Sequence, residues 1–167
     1  IRDSFKGLNE TELQWISDEN WIYRKRFSVD DDIFKMEFII LRFQGLDTYS
    51  TIFLNGNEIL KTDNMFHPWE VHVKEHLRIG ENDLIIEFES PIQKILPKMK
   101  DMDYELPADN DQIKKTSPFT RKAPYHYGWD WGPAFATSGI WKTVELFCYD
   151  SLHLENIFIE QSDISEE

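Results

Sequence analysis

Tyr49-Ser50-Thr51-Ile52-Phe53-Leu54-Asn55-Gly56 is the stretch that decides the fold class of this 167-residue chain. Apolar and polar residues alternate along Tyr49–Leu54, a pattern typical of a half-buried strand. Asn55-Gly56 favours a type I′ turn, because both central residues of that turn need a positive φ. The stretch therefore predicts a β-hairpin whose second strand is Glu58–Lys61.

Further strand-like runs, separated by turn signals, lie on both sides of this hairpin. They are Ile22–Val29, Ile33–Phe43, Val71–Leu77, Leu84–Glu89, Trp141–Tyr149 and Leu152–Glu160, with a turn at Gly80-Glu81-Asn82-Asp83 before the Leu84 run. Glu12–Ser17 could form a short helix, and Pro91–Met102 is helical in pattern until Pro97 interrupts it. This spacing predicts an all-β fold, an antiparallel β-sandwich with at most short helices.

Composition limits the classes of partner. The chain has 18 Lys and Arg against 31 Asp and Glu, a net charge of −13, so a nucleic-acid partner is not expected. No apolar run approaches the ~20 residues of a spanning helix, so no membrane contact is expected. The single cysteine, Cys148, lies in a strand-like run and is read as an apolar filler; it leaves the compartment undecided between extracytoplasmic, lysosomal and cytoplasmic.

Asp103–Phe135 is a long, aromatic-rich segment without a clear period, and such loops are often functional. Within it, two glycines bracket Trp129-Asp130-Trp131. Sugars present C–H faces to aromatic rings and hydroxyls to charged groups, and this arrangement supplies both. The alternative is that both tryptophans are core residues, with Asp130 capping a turn or paired to Arg121. If the segment is a strand, Asp130 points away from both tryptophans.

A set of short motifs carries a resemblance to a known family. In chain order they are Gly7-Leu8-Asn9-Glu10, Leu13-Gln14-Trp15-Ile16, Trp21-Ile22-Tyr23-Arg24, Phe43-Gln44-Gly45-Leu46-Asp47, Ile52-Phe53-Leu54-Asn55-Gly56, Arg121-Lys122-Ala123, Gly128-Trp129-Asp130-Trp131-Gly132 and Gly139-Ile140-Trp141-Lys142. Together they closely resemble the first domain of family 2 β-mannosidases. The resemblance implies a jelly-roll-like sandwich of the galactose-binding-domain kind, formed by residues 1–167 as a single domain.

The resemblance also implies a function. The domain is expected to be truncated at its N-terminus and cut from a larger multidomain enzyme, whose (β/α)₈ barrel carries two catalytic Glu residues and hydrolyses terminal β-D-mannose with retention. This chain is then expected to hold no catalytic residue, metal or cofactor. Asp130 is expected to bind a mannose hydroxyl with Trp129 beside it, while Trp131, His126 and Arg121 support the loop.

Other candidate sites are less favoured. Glu58 follows an asparagine, as the family's acid/base Glu does, but it lies at an exposed strand end. His72 and His76 share the polar face of a predicted strand, too far apart for one ion. Asp30-Asp31-Asp32 reads as an acidic turn. An autonomous carbohydrate-binding module and a family 2 β-galactosidase or β-glucuronidase domain remain the alternative functions.

Overall fold

Antiparallel strands are the main regular elements of residues 1–165, the part of the chain that the computed structural model describes. The strands are β1 (Trp21–Val29), β2 (Phe38–Phe43), β3 (Leu46–Asp47), β4 (Tyr49–Leu54), β5 (Asn57–Asp63), β6 (Trp69–His72), β7 (Gly80–Phe88), β8 (Gly139–Ile140) and β9 (Val144–Tyr149). The helices are α1 (Asn9–Glu12), α2 (Asp31–Lys35) and α3 (Pro91–Lys100), with 3₁₀ turns at Gln14–Ser17, Lys74–His76, Ser117–Phe119 and Pro124–Tyr127. No helix in this part of the chain is long and apolar enough to cross a membrane.

Two sheets face each other. One has the strand order β1-β7-β4-β5 and the other β6-β2-β9, and every pair within them is antiparallel. A separate two-residue pair joins β3 to β8. The hairpin between β4 and β5 turns at Asn55 and Gly56, which have φ values of 51° and 86°. The predicted antiparallel sandwich and its Asn-Gly hairpin are confirmed.

The core lies between the sheets because alternate residues of each strand point inward. Along β4, Ile52 and Leu54 are fully buried. Phe88 of the same sheet and Phe43 of the opposite sheet belong to the same core cluster. Burying one such side chain stabilises the fold by about 1.5–3 kcal/mol. Cys148 packs against this cluster, and burial raises the pKa of its thiol, so the apolar reading of this residue holds.

The run Ile33–Phe43 was predicted to be one strand, but the structure divides it between α2 and β2. The Asp30 carboxylate accepts a hydrogen bond from the Ile33 amide at 2.8 Å, which caps α2 and delays the strand until Phe38. Asp31 and Asp32 pair with Lys35 on the same helix. The three acidic residues therefore begin a helix rather than form a simple acidic turn.

Two expectations around β6 and β7 were also wrong. The predicted strand Val71–Leu77 ends at His72, because Val73 and Leu77 are buried on either side of a 3₁₀ turn. His76 therefore does not share a strand face with His72. The predicted turn at Gly80–Asp83 is instead the start of β7, where the buried Asn82 side chain bonds both the amide and the carbonyl of Arg78, at 2.9 and 2.8 Å.

Two further predictions failed at chain segments rich in apolar residues. The helix α3 continues through Pro97, which removes one N–H donor, while the buried Ile92 and Ile95 hold the helix to the domain. The predicted strand Leu152–Glu160 has no regular structure and is exposed. Its apolar side chains find no partner layer among residues 1–165.

A tight contact fixes the sandwich end that carries the long segment. The indole of Trp141, just after β8, lies over Gly45, just before β3, and donates a hydrogen bond to the Met65 carbonyl at 3.2 Å. A Cβ atom at Gly45 would lie 2.4 Å from the Trp141 ring nitrogen, so only glycine fits there. This contact holds β3, and with it Asp47, against β8.

Candidate functional site

A buried ion pair anchors the long segment to the sandwich. The Lys122 ammonium donates to the Asp47 carboxylate and, at 2.6 Å, to the Thr137 carbonyl, and both charged residues are almost fully buried. The Thr48 hydroxyl also donates to Asp47. Lys122 thereby links β3 to Thr137, which lies just before β8.

The two members of the pair respond to burial in different ways. Burial alone would raise the pKa of Asp47, but the His126 ring and the Lys122 ammonium outweigh it, so this pKa lies below its usual value. Burial lowers the pKa of Lys122, and the Asp47 charge opposes that shift. Because two desolvated charges face each other directly, removing either one leaves the other buried without the partner that offsets its desolvation.

Polar side chains hold the middle of the long segment. The buried Asp111 carboxylate accepts from the amides of Ile113, Lys114 and Ser117 at 2.9–3.2 Å. The Gln112 amide group donates to the Trp129 carbonyl at 2.5 Å. These bonds add to the few backbone hydrogen bonds of the segment, such as that from the Gln112 amide to the Tyr127 carbonyl at 2.9 Å.

Side chains of the N-terminal helical region, in α1 and the following 3₁₀ turn, hydrogen-bond to the C-terminal end of the same segment. The Glu10 carboxylate accepts from the Ala134 amide at 2.9 Å, and the Gln14 side chain donates to the Ala134 carbonyl at 3.0 Å. Both backbone groups of one residue are thus satisfied by side chains more than a hundred positions away in sequence. These two hydrogen bonds fix the chain just after the loop formed by Gly128–Gly132, which is called here the Trp-Asp loop.

The Trp-Asp loop is neither a strand nor part of the core. Trp129 is 40% exposed and Trp131 84% exposed, and Asp130 between them is exposed as well. No side chain among residues 1–165 bonds or pairs with the Asp130 carboxylate in the structure. Gly128 enters the loop at φ +124°, and a Cβ atom there would lie 2.8 Å from the Asn110 carbonyl oxygen. Glycine is therefore needed at the start of this loop, both for its backbone conformation and for its close approach to Asn110.

Two depressions flank the Trp-Asp loop. A polar pocket of about 450 Å³ is lined by Glu10, Gln112 and Asp130 together with both tryptophans. An aromatic groove of about 710 Å³ is lined by Phe5, Tyr125, His126, Trp129, Trp131 and Phe135. The tryptophans belong to both, so the pocket and the groove form one continuous surface.

The structure separates the predicted supporting residues. His126 lines the groove, and its Nδ1 lies 3.5 Å from the Asp47 carboxylate, which places it against the buried ion pair. Arg121 instead pairs with Asp63 at 3.3 Å, at the end of β5, and lines neither depression. The alternative in which Arg121 neutralises Asp130 is therefore wrong.

Several residues of this surface were not predicted from the sequence. Glu10, Gln112, Phe5 and Tyr125 line the pocket or the groove. Glu10 belongs to the motif Gly7–Glu10, and Tyr125 precedes the predicted His126, so their positions in short aromatic or acidic motifs were the available signal. Nothing local marks Phe5 or Gln112, because their roles depend on contacts between distant segments.

The other candidate residues make ordinary surface contacts. Glu58 lies on β5 and pairs with Lys61 at 3.1 Å on the surface. His72 packs against the Phe38 ring at 6.1 Å. Within residues 1–165 no group of three or more His, Cys, Asp or Glu side chains is placed to hold a metal ion.

The fold belongs to the class of antiparallel β-sandwich domains. The chain belongs to the family described as "Glycosyl hydrolase 2 galactose-binding domain-like", whose model matches residues 1–142. The resemblance to the first domain of family 2 β-mannosidases is confirmed by the relatives. β-Mannosidase B of Thermothelomyces thermophilus is 35% identical over 161 residues, and β-mannosidase B of Emericella nidulans 37% identical over 153 residues.

A solved structure agrees. The crystal structure of β-D-mannosidase from Dictyoglomus thermophilum is 46% identical, with a TM-score of 0.82 over 90% of this chain. The chain spans about 18% of the length of that protein and of both fungal relatives. The similarity therefore concerns one domain of glycoside hydrolases that are several times longer.

Proposed function

We propose that this chain is the non-catalytic N-terminal domain of a retaining exo-β-mannosidase, and that its Trp-Asp loop forms one wall of the pocket for a terminal β-D-mannose. The names of the relatives support the substrate class. The catalytic barrel of the same polypeptide is the partner that completes the pocket, and the mannoside is bound between the two domains.

The observation that carries this proposal is the free Asp130 carboxylate. It is exposed between two tryptophans, while the neighbouring acid of the pocket, Glu10, is already bonded to the Ala134 amide. A carboxylate with unused lone pairs can accept hydrogen bonds from sugar hydroxyls, each contributing about 1.5–3 kcal/mol in a part-dry site. Trp129 offers a flat ring beside it for the C–H face of the sugar.

The domain supplies binding rather than bond cleavage. A retaining glycosidase needs one carboxyl as proton donor and a second as nucleophile, about 5–5.5 Å apart across the scissile bond. Of the two acids in the polar pocket, Glu10 is committed to holding the loop exit. In this proposal the Glu pair belongs to the barrel, and Asp130 orients the sugar toward it.

The proposal predicts the substrate preference of the complete protein that carries this chain. 4-Nitrophenyl β-D-mannoside is expected to be hydrolysed at least about 100-fold more efficiently than the matching β-galactoside or β-glucuronide, because a site built for particular hydroxyls rejects misplaced ones. Chromogenic assays of kcat/KM measure this directly. Equal or faster turnover of the galactoside or glucuronide contradicts the mannosidase assignment.

The 167-residue chain alone provides the control. It is expected to hydrolyse none of the three substrates above a mock-purified preparation, and to give no measurable heat with mannose, because half of the pocket is absent. Calorimetric binding of mannose by the isolated chain would favour an autonomous carbohydrate-binding module instead.

A further inference from the structure

The hydroxyl groups of Tyr127 and Thr116 are buried and have no hydrogen-bond partner among residues 1–165. Both residues belong to the long segment that carries the Trp-Asp loop. We propose that one buried water molecule binds between these two hydroxyls, and that Tyr127 is through it a positioning residue for the Trp-Asp loop. The positioning role rests on the proposed function, whereas the water site does not.

Neither hydroxyl is in contact with bulk solvent. Tyr127 and Thr116 are both 0% exposed, and Tyr127 belongs to a core cluster with Ile92 and Ala136. Burial raises the pKa of the Tyr127 phenol, so this group stays protonated and keeps its donor. A buried polar group without a partner costs free energy, and most such groups in proteins bond to protein atoms or to ordered water. Two of them in one segment therefore indicate a bound water.

Other polar groups of the segment surround this pair. The Thr120 hydroxyl donates a long bond to the Thr116 carbonyl at 3.5 Å, and it lies near enough to Tyr127 to oppose the rise in the pKa of that phenol. The Tyr49 hydroxyl donates to the Phe119 carbonyl at 3.4 Å. A buried water makes about two to four hydrogen bonds, and the hydroxyls of Tyr127, Thr116 and Thr120 can supply them. A purely aliphatic site would instead stay dry.

The proposed water site adjoins the start of the Trp-Asp loop. Tyr127 ends a 3₁₀ turn and directly precedes Gly128, the first residue of the loop. Thr116 directly precedes another 3₁₀ turn, Ser117–Phe119. A water between the two hydroxyls joins these turns, and Asp130 follows Tyr127 by only three positions. The orientation of the Tyr127 ring is therefore passed on to the carboxylate of the loop.

Tyr127→Phe in the 167-residue chain shows whether the buried hydroxyl is bonded, because it removes that group and keeps the ring. If the hydroxyl holds a water, a satisfied hydrogen bond is lost and Tm is expected to fall by about 2–4 °C. A Tm equal to or above that of the wild type overturns the site, because an unpaired buried hydroxyl can be removed without loss.

Thr116→Val is the second variant, and it is expected to lower Tm by a similar amount. The double variant should lower Tm by clearly less than the sum of the two, because both hydroxyls bind the same water. Strictly additive losses overturn a shared water. Tyr149→Phe is the matched control, a half-buried tyrosine at the end of β9 and outside the long segment, and its Tm should stay within about 1 °C of the wild type.

A crystal structure of the complete protein locates the water directly. We expect one ordered water within about 3.2 Å of the hydroxyl oxygens of Tyr127 and Thr116, and none at this place in Tyr127→Phe. A Tyr127 hydroxyl bonded directly to a protein group, with no water between, overturns the site. A water that stays in place in Tyr127→Phe overturns the role of this tyrosine in holding it.

The positioning role is measured by kinetics of the complete protein in two backgrounds. Tyr127→Phe is expected to lower kcat/KM for 4-nitrophenyl β-mannoside by roughly three- to tenfold, because the loop is slightly misplaced. In the Asp130→Ala background the same change should cost less than about 1.5-fold, because Tyr127 acts on the substrate only through that carboxylate. Equal losses in both backgrounds, or no loss in either, overturn the positioning role.

The two parts of the proposal fail in distinguishable ways. A wild-type protein that hydrolyses no β-mannoside overturns the proposed function and the positioning role with it. The Tm values and the crystal structure still decide the water site, because neither of them depends on the substrate.

Discussion

Lys122→Met is expected to lower the free energy of unfolding by about 3–5 kcal/mol, the largest effect of any single substitution considered. Methionine closely matches the shape of the lysine methylene chain, so the lost stability is electrostatic in origin. The Asp47 carboxylate stays buried without the Lys122 cation. The bond to the Thr137 carbonyl is lost as well. Urea unfolding of the 167-residue chain, with linear extrapolation to water, measures the change.

The pH dependence of this variant separates an unpaired charge from a packing defect. In the wild type, the pKa of Asp47 is lowered, so its contribution is present above the usual carboxyl pKa and is lost as pH falls below about 4. Without Lys122, only the His126 ring and the Thr48 hydroxyl still oppose the effect of burial, so the pKa of Asp47 rises relative to the wild type. The stability difference between Lys122→Met and the wild type should therefore narrow as pH falls from about 7 toward 4.

Two further variants complete this test. Asp47→Leu combined with Lys122→Met should recover most of the lost stability, because no buried charge remains. Lys114→Met, an exposed lysine of the same long segment, should change the free energy of unfolding by less than about 0.5 kcal/mol. A double variant as unstable as the single one would mean that the pair is not the source of the effect.

Asp130→Ala in the complete protein is expected to lower kcat/KM for 4-nitrophenyl β-mannoside by about 10- to 100-fold, since a charge-assisted hydrogen bond of about 1.5–3 kcal/mol is removed. The folded domain should be unaffected, because this carboxylate is exposed and bonds to no side chain of residues 1–165. Thermal unfolding recorded beside the kinetics separates the two effects.

Asp109→Ala is the matched control for Asp130, an exposed acid of the same segment that lines neither the polar pocket nor the aromatic groove. Its kcat/KM should equal that of the wild type. A change of less than about threefold for Asp130→Ala, with normal stability, would remove the sugar-binding role from this residue.

The sandwich could be predicted from local patterns, because strand alternation and turn chemistry are both short-range signals. Tyr49–Leu54 with Asn55-Gly56 specified a hairpin that the structure contains. The strand pattern failed where a local hydrogen bond favours a different structure. The Asp30 carboxylate caps a helix, so the first part of the apolar run Ile33–Phe43 is helical. Leu152–Glu160 is rich in apolar residues like a strand but has no neighbouring strand to pair with among residues 1–165.

The site could be predicted only in part. The sequence left open whether Trp129 and Trp131 were core residues or flanked an exposed acid, and the structure places both tryptophans and Asp130 at the surface. The contacts that hold them there join segments far apart in sequence, such as Glu10 with Ala134 and Asp47 with Lys122. No local pattern encodes such pairs, so the support of the loop became visible only in three dimensions.

Contact between Asp130 and the terminal mannose is central to the proposed function. A crystal structure of the complete protein with mannose or an unhydrolysed β-mannoside bound tests it most directly. We expect an Asp130 carboxylate oxygen within about 3.2 Å of a hydroxyl of the terminal mannose, with the Trp129 ring beside that sugar. A mannose bound in the barrel with Asp130 facing solvent or another part of the protein would contradict the account.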